Sequence, residues 1–374
     1  MRHEKAAPSL FLWRINLKNY QKSMEHQKNP LFLTSASIAV FALLITGCAS
    51  ATPIEPAQSS EPVATEEQQQ PQASPKFSDP WPTQVNNYEL KSTALFQTYK
   101  FFDEIRKPDC GIGYKLHLGE HFLDVHKPLV DDLTRSITEI FCDYLKQPLI
   151  IIGGSNDFVM QTVAENSYPS DEFGGICGYK VEDDSGAACA FYGVAWIGKS
   201  WGTLPKPEGQ RATLAAHEIF HLVHDGLDPD SASQSNPPGH PFFRPVWFIE
   251  GAGEYFGSSV ASYLELNPYG TGAPTDINGE FLDVAYLSDL EGLEIRGERA
   301  FGNENYFSGK RAIEYMIASK GVEAVLDIWV KMGGGMNFYD AFENAMGLSL
   351  SDFYAKFAEM HSQLYGSDYV TGNF

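Results

Sequence analysis

Apolar positions along this chain recur with two periods. From Phe122 to Leu145 they fall at Phe122, Val125, Leu129, Leu133, Ile137, Ile140, Phe141 and Tyr144, the spacing of one helix face, with mixed charge between them. Pro148 then opens a short unbroken apolar run, Leu149-Ile150-Ile151-Ile152-Gly153, which predicts a buried strand. A helix start follows Asn156-Asp157, through Phe158 to Val163, and Ala190 to Gly198 reads as another strand. Next comes the run QRATLAAHEIFHLVHDG from Gln210 to Gly226. Ala212, Leu214, Ala215 and Ala216 favour helix, Ile219, Phe220, Leu222 and Val223 supply apolar faces, and Asp225-Gly226 is a stop signal. A polar, Pro-rich loop from Leu227 to Pro245 separates it from a second predicted helix, RPVWFIEGAGEYFGSSV. Residues 260–374 read as mainly helical: one helix around Asn305–Lys320, another from Val322 to Met332, and a last one capped by Ser349 or Ser351. The pattern predicts an α+β unit, with a mixed α/β half over residues 83–205 and a helical half over 206–374.

The first 82 residues read differently. Basic residues before Pro30 precede the apolar run Leu31–Thr46, too short for a membrane span. That run ends Leu44-Ile45-Thr46-Gly47-Cys48, which resembles the lipobox of bacterial lipoproteins. The resemblance implies a signal peptide over residues 1–47 and a lipid on Cys48, with Met24 as a possible true start. An ordinary secretory signal and a retained helix are the alternatives. Ala49 rather than Asp follows the cysteine; by resemblance to Gram-negative sorting rules this favours the outer membrane within the cell envelope. Residues 48–82, rich in Pro, Gln, Glu, Ser and Ala, predict a disordered tether.

Composition narrows the partners. A net charge of −21 argues against nucleic acid, which is bound through clustered Lys and Arg. Hydrophobic residues at 43% are ample for a core. Setting Cys48 aside leaves Cys110, Cys142, Cys177 and Cys189, an even number with three possible pairings and no metal-pair spacing. Cys177–Cys189, closing a short Gly-rich loop, together with Cys110–Cys142, is the expected set.

The chemistry is concentrated between Gln210 and Tyr255. His217, Glu218 and His221 form H-E-x-x-H inside a helical run. Positions i and i+4 lie about 40° apart on one helix face, so both imidazoles can reach one metal ion. Zinc is the expected occupant, one per chain, and Glu218 would stand beside its water as general base. Glu250 and Glu254, four apart on the next helix, can supply a third ligand and a carboxylate that orients a ligand histidine. His224 reads as packing or support for a ligand, and His240 as a loop histidine or a substrate contact.

H-E-x-x-H followed by W-F-I-E-G-A-G-E-Y resembles the gluzincin metallopeptidases, and the W-x-x-E-G-x-x-E-Y form is similar to peptidase-MA-like domains such as those of bacterial collagenases. The resemblance spans roughly residues 190–360. It implies a zincin-like catalytic domain, zinc ligands His217, His221 and Glu250, catalytic base Glu218, and Glu254 supporting a ligand. The helix that begins Asn305-Tyr306-Phe307-Ser308-Gly309 resembles the family's Y-x-x-G element. It implies an oxyanion-stabilising role for Tyr306, with Tyr255 as a rival. There is no G-x-M-E-N sequence, the amine-binding element of aminopeptidase N-like enzymes, and Glu250 follows His221 by 29 residues, a longer separation than in thermolysin-like enzymes. The expected protein is thus a monomeric, lipid-tethered zinc endopeptidase acting on peptide or protein substrates. The competing expectations are a zinc-containing binding or envelope-maintenance lipoprotein without turnover, and a zinc hydrolase of non-peptide amides or esters.

Overall fold

A computed structural model of the chain describes residues 77, 79–119, 122, 126–168, 188–191, 194–198, 208–228, 238, 240, 243–269, 290–292 and 303–365. All of them belong to the compact unit Gln69–Phe374. Cys48, the signal peptide, nearly all of the tether and Cys177 lie outside the described residues.

Phe77 packs against the core, and the buried Trp81 meets the rings of Tyr315 and Phe353 edge-on at 5.3 and 5.6 Å. Helix α1 (Asn87–Ile105) follows, capped by the Asn86 side chain, which accepts from the Glu89 amide at 2.8 Å. Strand β1 (Tyr114–Leu118), helix α2 (Lys127–Ile140), strand β2 (Leu149–Gly154) and helix α3 (Asn156–Asn166) come next. Helix α2 is shorter than the apolar period from Phe122 to Leu145 predicts. Pro128 stands in its first turn, where the missing amide proton costs nothing, so it is compatible with the helix start at Lys127. Phe122 still packs in the core from outside the helix.

The expected strand over residues 190–198 is two strands. β3 (Ala188–Phe191) and β4 (Val194–Gly198) pair antiparallel, with Phe191 opposite Val194. An unbroken apolar run does not distinguish one long strand from two short paired ones. The sheet has four strands in the order β1-β2-β4-β3; β1, β2 and β4 are parallel, and β3 runs against them at the edge. Alternate side chains of its central strands serve two cores, as the strand period requires. Ile151, Ala195 and Ile197 join the main core with the helices, whereas Ile152, Val194 and Trp196 meet Val159 and Val163 of α3 on the other face.

The helical half comprises α4 (Glu208–Leu227), α5 (Val246–Tyr263), α6 (Asn303–Lys320), α7 (Val322–Gly333), α8 (Phe338–Met346) and α9 (Leu350–Tyr365). Of the two candidate caps for α9, Ser349 is the one used: its hydroxyl oxygen accepts from the Asp352 amide at 3.1 Å. Helices α5 and α6 cross with backbones nearly touching, since a Cβ on Gly309 would stand 2.1 Å from the Trp247 carbonyl oxygen. The described residues therefore form a mostly helical α+β unit around a small mixed sheet. The expected Cys110–Cys142 disulfide is present, tying the chain after α1 to the turn after α2. Cys189 is disulfide-bonded as well, and its expected partner Cys177 falls outside the described residues.

Candidate metal centre

Helix α4 runs without a proline or an internal glycine from Gln210 to Asp225, and its apolar residues are sunk in the main core. This burial carries His217, Glu218, His221 and His224 inside with it, none more than 8% exposed. Buried imidazoles and carboxylates are costly unless something satisfies them. Their partners come from α5, and small residues are what bring α5 near enough. A Cβ on Gly253 would lie 2.8 Å from His217 Cε1, and one on Gly257 would lie 2.7 Å from the His217 backbone nitrogen. With no side chain at either point, α5 lies directly against α4 at His217, and Glu250 and Glu254 face it from successive turns.

The distances follow from that approach. Glu250 Oε2 is 3.3 Å from His217 Nε2 and 3.5 Å from His221 Nε2, and the two Nε2 atoms are 2.9 Å apart. Glu254 Oε1 stands behind His217, 3.6 Å from Nδ1. One ligand atom from each of His217, Glu218 and His221 lies within 4.8 Å of the others, so this buried group could hold a metal ion. The His217 side chain is 3% exposed, against 14% for Glu250 and 21% for Glu254, which puts the open side of the group toward the carboxylates.

Electrostatics divide the four groups. Burial works against a charged His217, but Glu250 and Glu254 outweigh it and hold the imidazole well above its ordinary pKa. Burial pushes Glu250 up, yet His221 and His217 pull it far below the carboxylate range. Glu254 is likewise lowered, by His217 and Lys310 against its own burial. Glu218 goes the opposite way: burial raises it, and the nearby histidines only partly reverse the effect. Two carboxylates beside one imidazole are thus held ionised, and a third is biased toward its protonated form.

Tyr306, on α6, lays its ring against His217, with centroids 5.8 Å apart and planes at 27°. Tyr255 is elsewhere: fully buried, its hydroxyl lies 2.7 Å from Thr98 Oγ1, and burial raises its pKa far above normal. It is a core tyrosine satisfied by a threonine, so of the two predicted tyrosines only Tyr306 faces the histidines. His240 is exposed, with its carbonyl accepting from the Phe243 amide at 2.9 Å.

Several participants escaped the sequence reading. Lys310 donates to Ser258 Oγ at 2.7 Å, lies 4.8 Å over the Tyr269 ring and couples to Glu254. Its position four after Tyr306 on one helix was the signal available. Asp228 and Arg244 form a fully buried ion pair at the stem of the loop between α4 and α5. Nothing local marks that pair, because its members are separated by the loop. No family model, curated protein or solved structure matches this chain. Function has to be read from the chemistry of the site.

Proposed function

We propose that the chain is a zinc-dependent hydrolase of peptide bonds, an endopeptidase with a zincin-like fold working as a monomer. The observation that carries the reading is the convergence of His217 Nε2, His221 Nε2 and Glu250 Oε2 within 3.5 Å of one another, beside a buried Glu218. Two imidazoles and a carboxylate are the donor set of catalytic zinc, and a cation bound among them would take the place of the proton now held on the imidazole. When bound, zinc supplies a Lewis acid that polarises a carbonyl and makes water acidic near neutral pH.

The remaining steps belong to the side chains. Glu218 takes the proton of the attacking water and passes it to the amine nitrogen as the carbon–nitrogen bond breaks; a carboxylate raised by burial is suited to both halves of that transfer. Glu254, 3.6 Å from Nδ1 of His217, favours a proton on that nitrogen by its charge and so leaves the imidazole's other nitrogen for Glu250 and His221. Tyr306, whose ring packs on His217, would donate its hydroxyl to the carbonyl oxygen as it gains charge. The lipobox-like Cys48 adds a lipid anchor in the bacterial cell envelope, at the outer membrane. Among the described residues, no helix is long and apolar enough to cross a membrane.

The test compares the full-length protein with Glu218→Gln for zinc content and for cleavage of a denatured-protein mixture. One zinc in each, with chelator-sensitive cleavage only by the wild type, is the expected result. Full cleavage by Glu218→Gln, or no zinc in the wild type, would overturn the reading. Zinc in both with no cleavage in either would leave a narrow substrate, a latent enzyme or a zinc-bearing binding protein.

A further inference from the structure

His221 has two ring nitrogens with different neighbours. Nε2 faces His217 Nε2 at 2.9 Å and Glu250 Oε2 at 3.5 Å, and Nδ1 faces His224 Nε2 at 2.7 Å. A neutral imidazole carries one proton and one lone pair. For Nε2 to offer its lone pair, the proton must sit on Nδ1 and be donated outward. The atom in reach is His224 Nε2, which must therefore accept. That places the proton of His224 on its own Nδ1, where Asp225 Oδ1 stands 3.2 Å away. The assignment turns on the link between the two imidazoles: reversing it puts a proton on the nitrogen of His221 that faces the site.

The ring that does the accepting is unusually well fixed. His224 is 2% exposed and stacks on Trp329 of α7 with centroids 5.5 Å apart and planes at 13°. Phe248 of α5 stacks on the same indole at 4.3 Å, and Phe220 meets His224 edge-on at 6.1 Å. Trp329 of α7 and Phe220 of α4 thus flank the imidazole of His224, and Phe248 of α5 backs the indole on which it stacks. Glu254 stands behind His217; a second imidazole stands behind His221.

We propose that His224 is a positioning residue for the metal centre: packed on Trp329 and facing Nδ1 of His221, it fixes the tautomer of His221 so that Nε2 presents its lone pair to the ion. The proposal rests on the reading of His221 as a ligand given under Proposed function. Two variants of the full-length protein separate its parts. His224→Phe keeps a ring on Trp329 and removes the acceptor; His224→Gln brings an amide oxygen to nearly the place of Nε2. With Zn2+ alone as the probe, in competition with a chromophoric chelator, His224→Phe is expected to bind about 10- to 100-fold more weakly, and His224→Gln to recover most of the loss. In the metal-free wild type, two-bond proton–nitrogen NMR correlations of the histidine rings are expected to show His221 protonated on Nδ1 and bare on Nε2. Wild-type zinc affinity in a folded His224→Phe, or an Nε2–H on His221, overturns the proposal. Because the NMR measurement needs neither metal nor turnover, it decides the tautomer of His221 separately from whether the chain binds zinc or cleaves peptides. It also decides should His224→Phe not fold.

Discussion

Adding a single methyl group at Gly253 tests the close approach of α4 and α5. The new Cβ would stand 2.8 Å from His217 Cε1, 2.9 Å from Nε2 and 3.0 Å from Nδ1. Ordinary contact begins near 3.4 Å, so the ring must retreat by at least 3.4 − 2.8, or 0.6 Å. Its retreat is opposed by His221 at 2.9 Å and by the Tyr306 ring stacked at 5.8 Å. Overpacking of this kind costs about 1–3 kcal/mol, while replacing a helical glycine with alanine returns about 1 kcal/mol, so the net loss of stability is roughly 0–2 kcal/mol. The ligand geometry has less room, because metal–donor distances tolerate only about 0.2 Å. Gly253→Ala is therefore expected to lose zinc affinity roughly 10- to 100-fold while losing little stability, measured by chelator competition and by urea unfolding of the metal-free protein. Gly257→Ala is the contrasting case: its Cβ would meet the His217 backbone nitrogen at 2.7 Å and the Thr213 carbonyl oxygen at 3.0 Å, groups that cannot swing aside, so stability falls further. A Gly253→Ala protein that gains the full ~1 kcal/mol of helix propensity and binds zinc like the wild type would refute the reasoning.

Two further predictions concern buried charge. Arg244→Met removes the partner of the buried Asp228 and is expected to cost about 3–5 kcal/mol in urea unfolding; the double variant Arg244→Met/Asp228→Leu should recover most of it. Burial, aided by the positive charge of Arg311, pushes His361 down from 6.5 to about 4. The unfolded chain therefore binds a proton there before the folded one does, so this contribution is intact above pH ~6.5 and is lost as pH falls toward ~4. By that linkage the wild type loses about 2 kcal/mol between pH 7 and pH 5 that His361→Leu does not, read from unfolding free energies at the two pH values.

Much of the architecture could be read from the chain because it is written in local periods. The spacing of apolar residues places α4, α5, α6, α7 and the central strand β2, since each needs only one buried face or run to be recognised. The same locality brings His217 and His221 to one face of α4, and Glu250 and Glu254 to one face of α5. Where a local signal has two meanings, the reading stopped short. The apolar run before α4 is an antiparallel pair rather than one strand, and α2 spans only Lys127–Ile140 of an apolar period that continues on both sides.

What passes between elements was out of reach of any period. That Glu250 Oε2 reaches both imidazoles, that Tyr306 rather than Tyr255 packs on His217, and that Arg244 closes on Asp228 depend on how closely two helix backbones lie. That separation is set by the absence of side chains at Gly251, Gly253, Gly257 and Gly309. A glycine in a sequence reads as a weak helix former; whether it is a breaker or a place of contact depends on what packs over it. Local chemistry follows from residues a turn apart, but the meeting of two helices is a property of their surfaces together, which exist only once the core has closed.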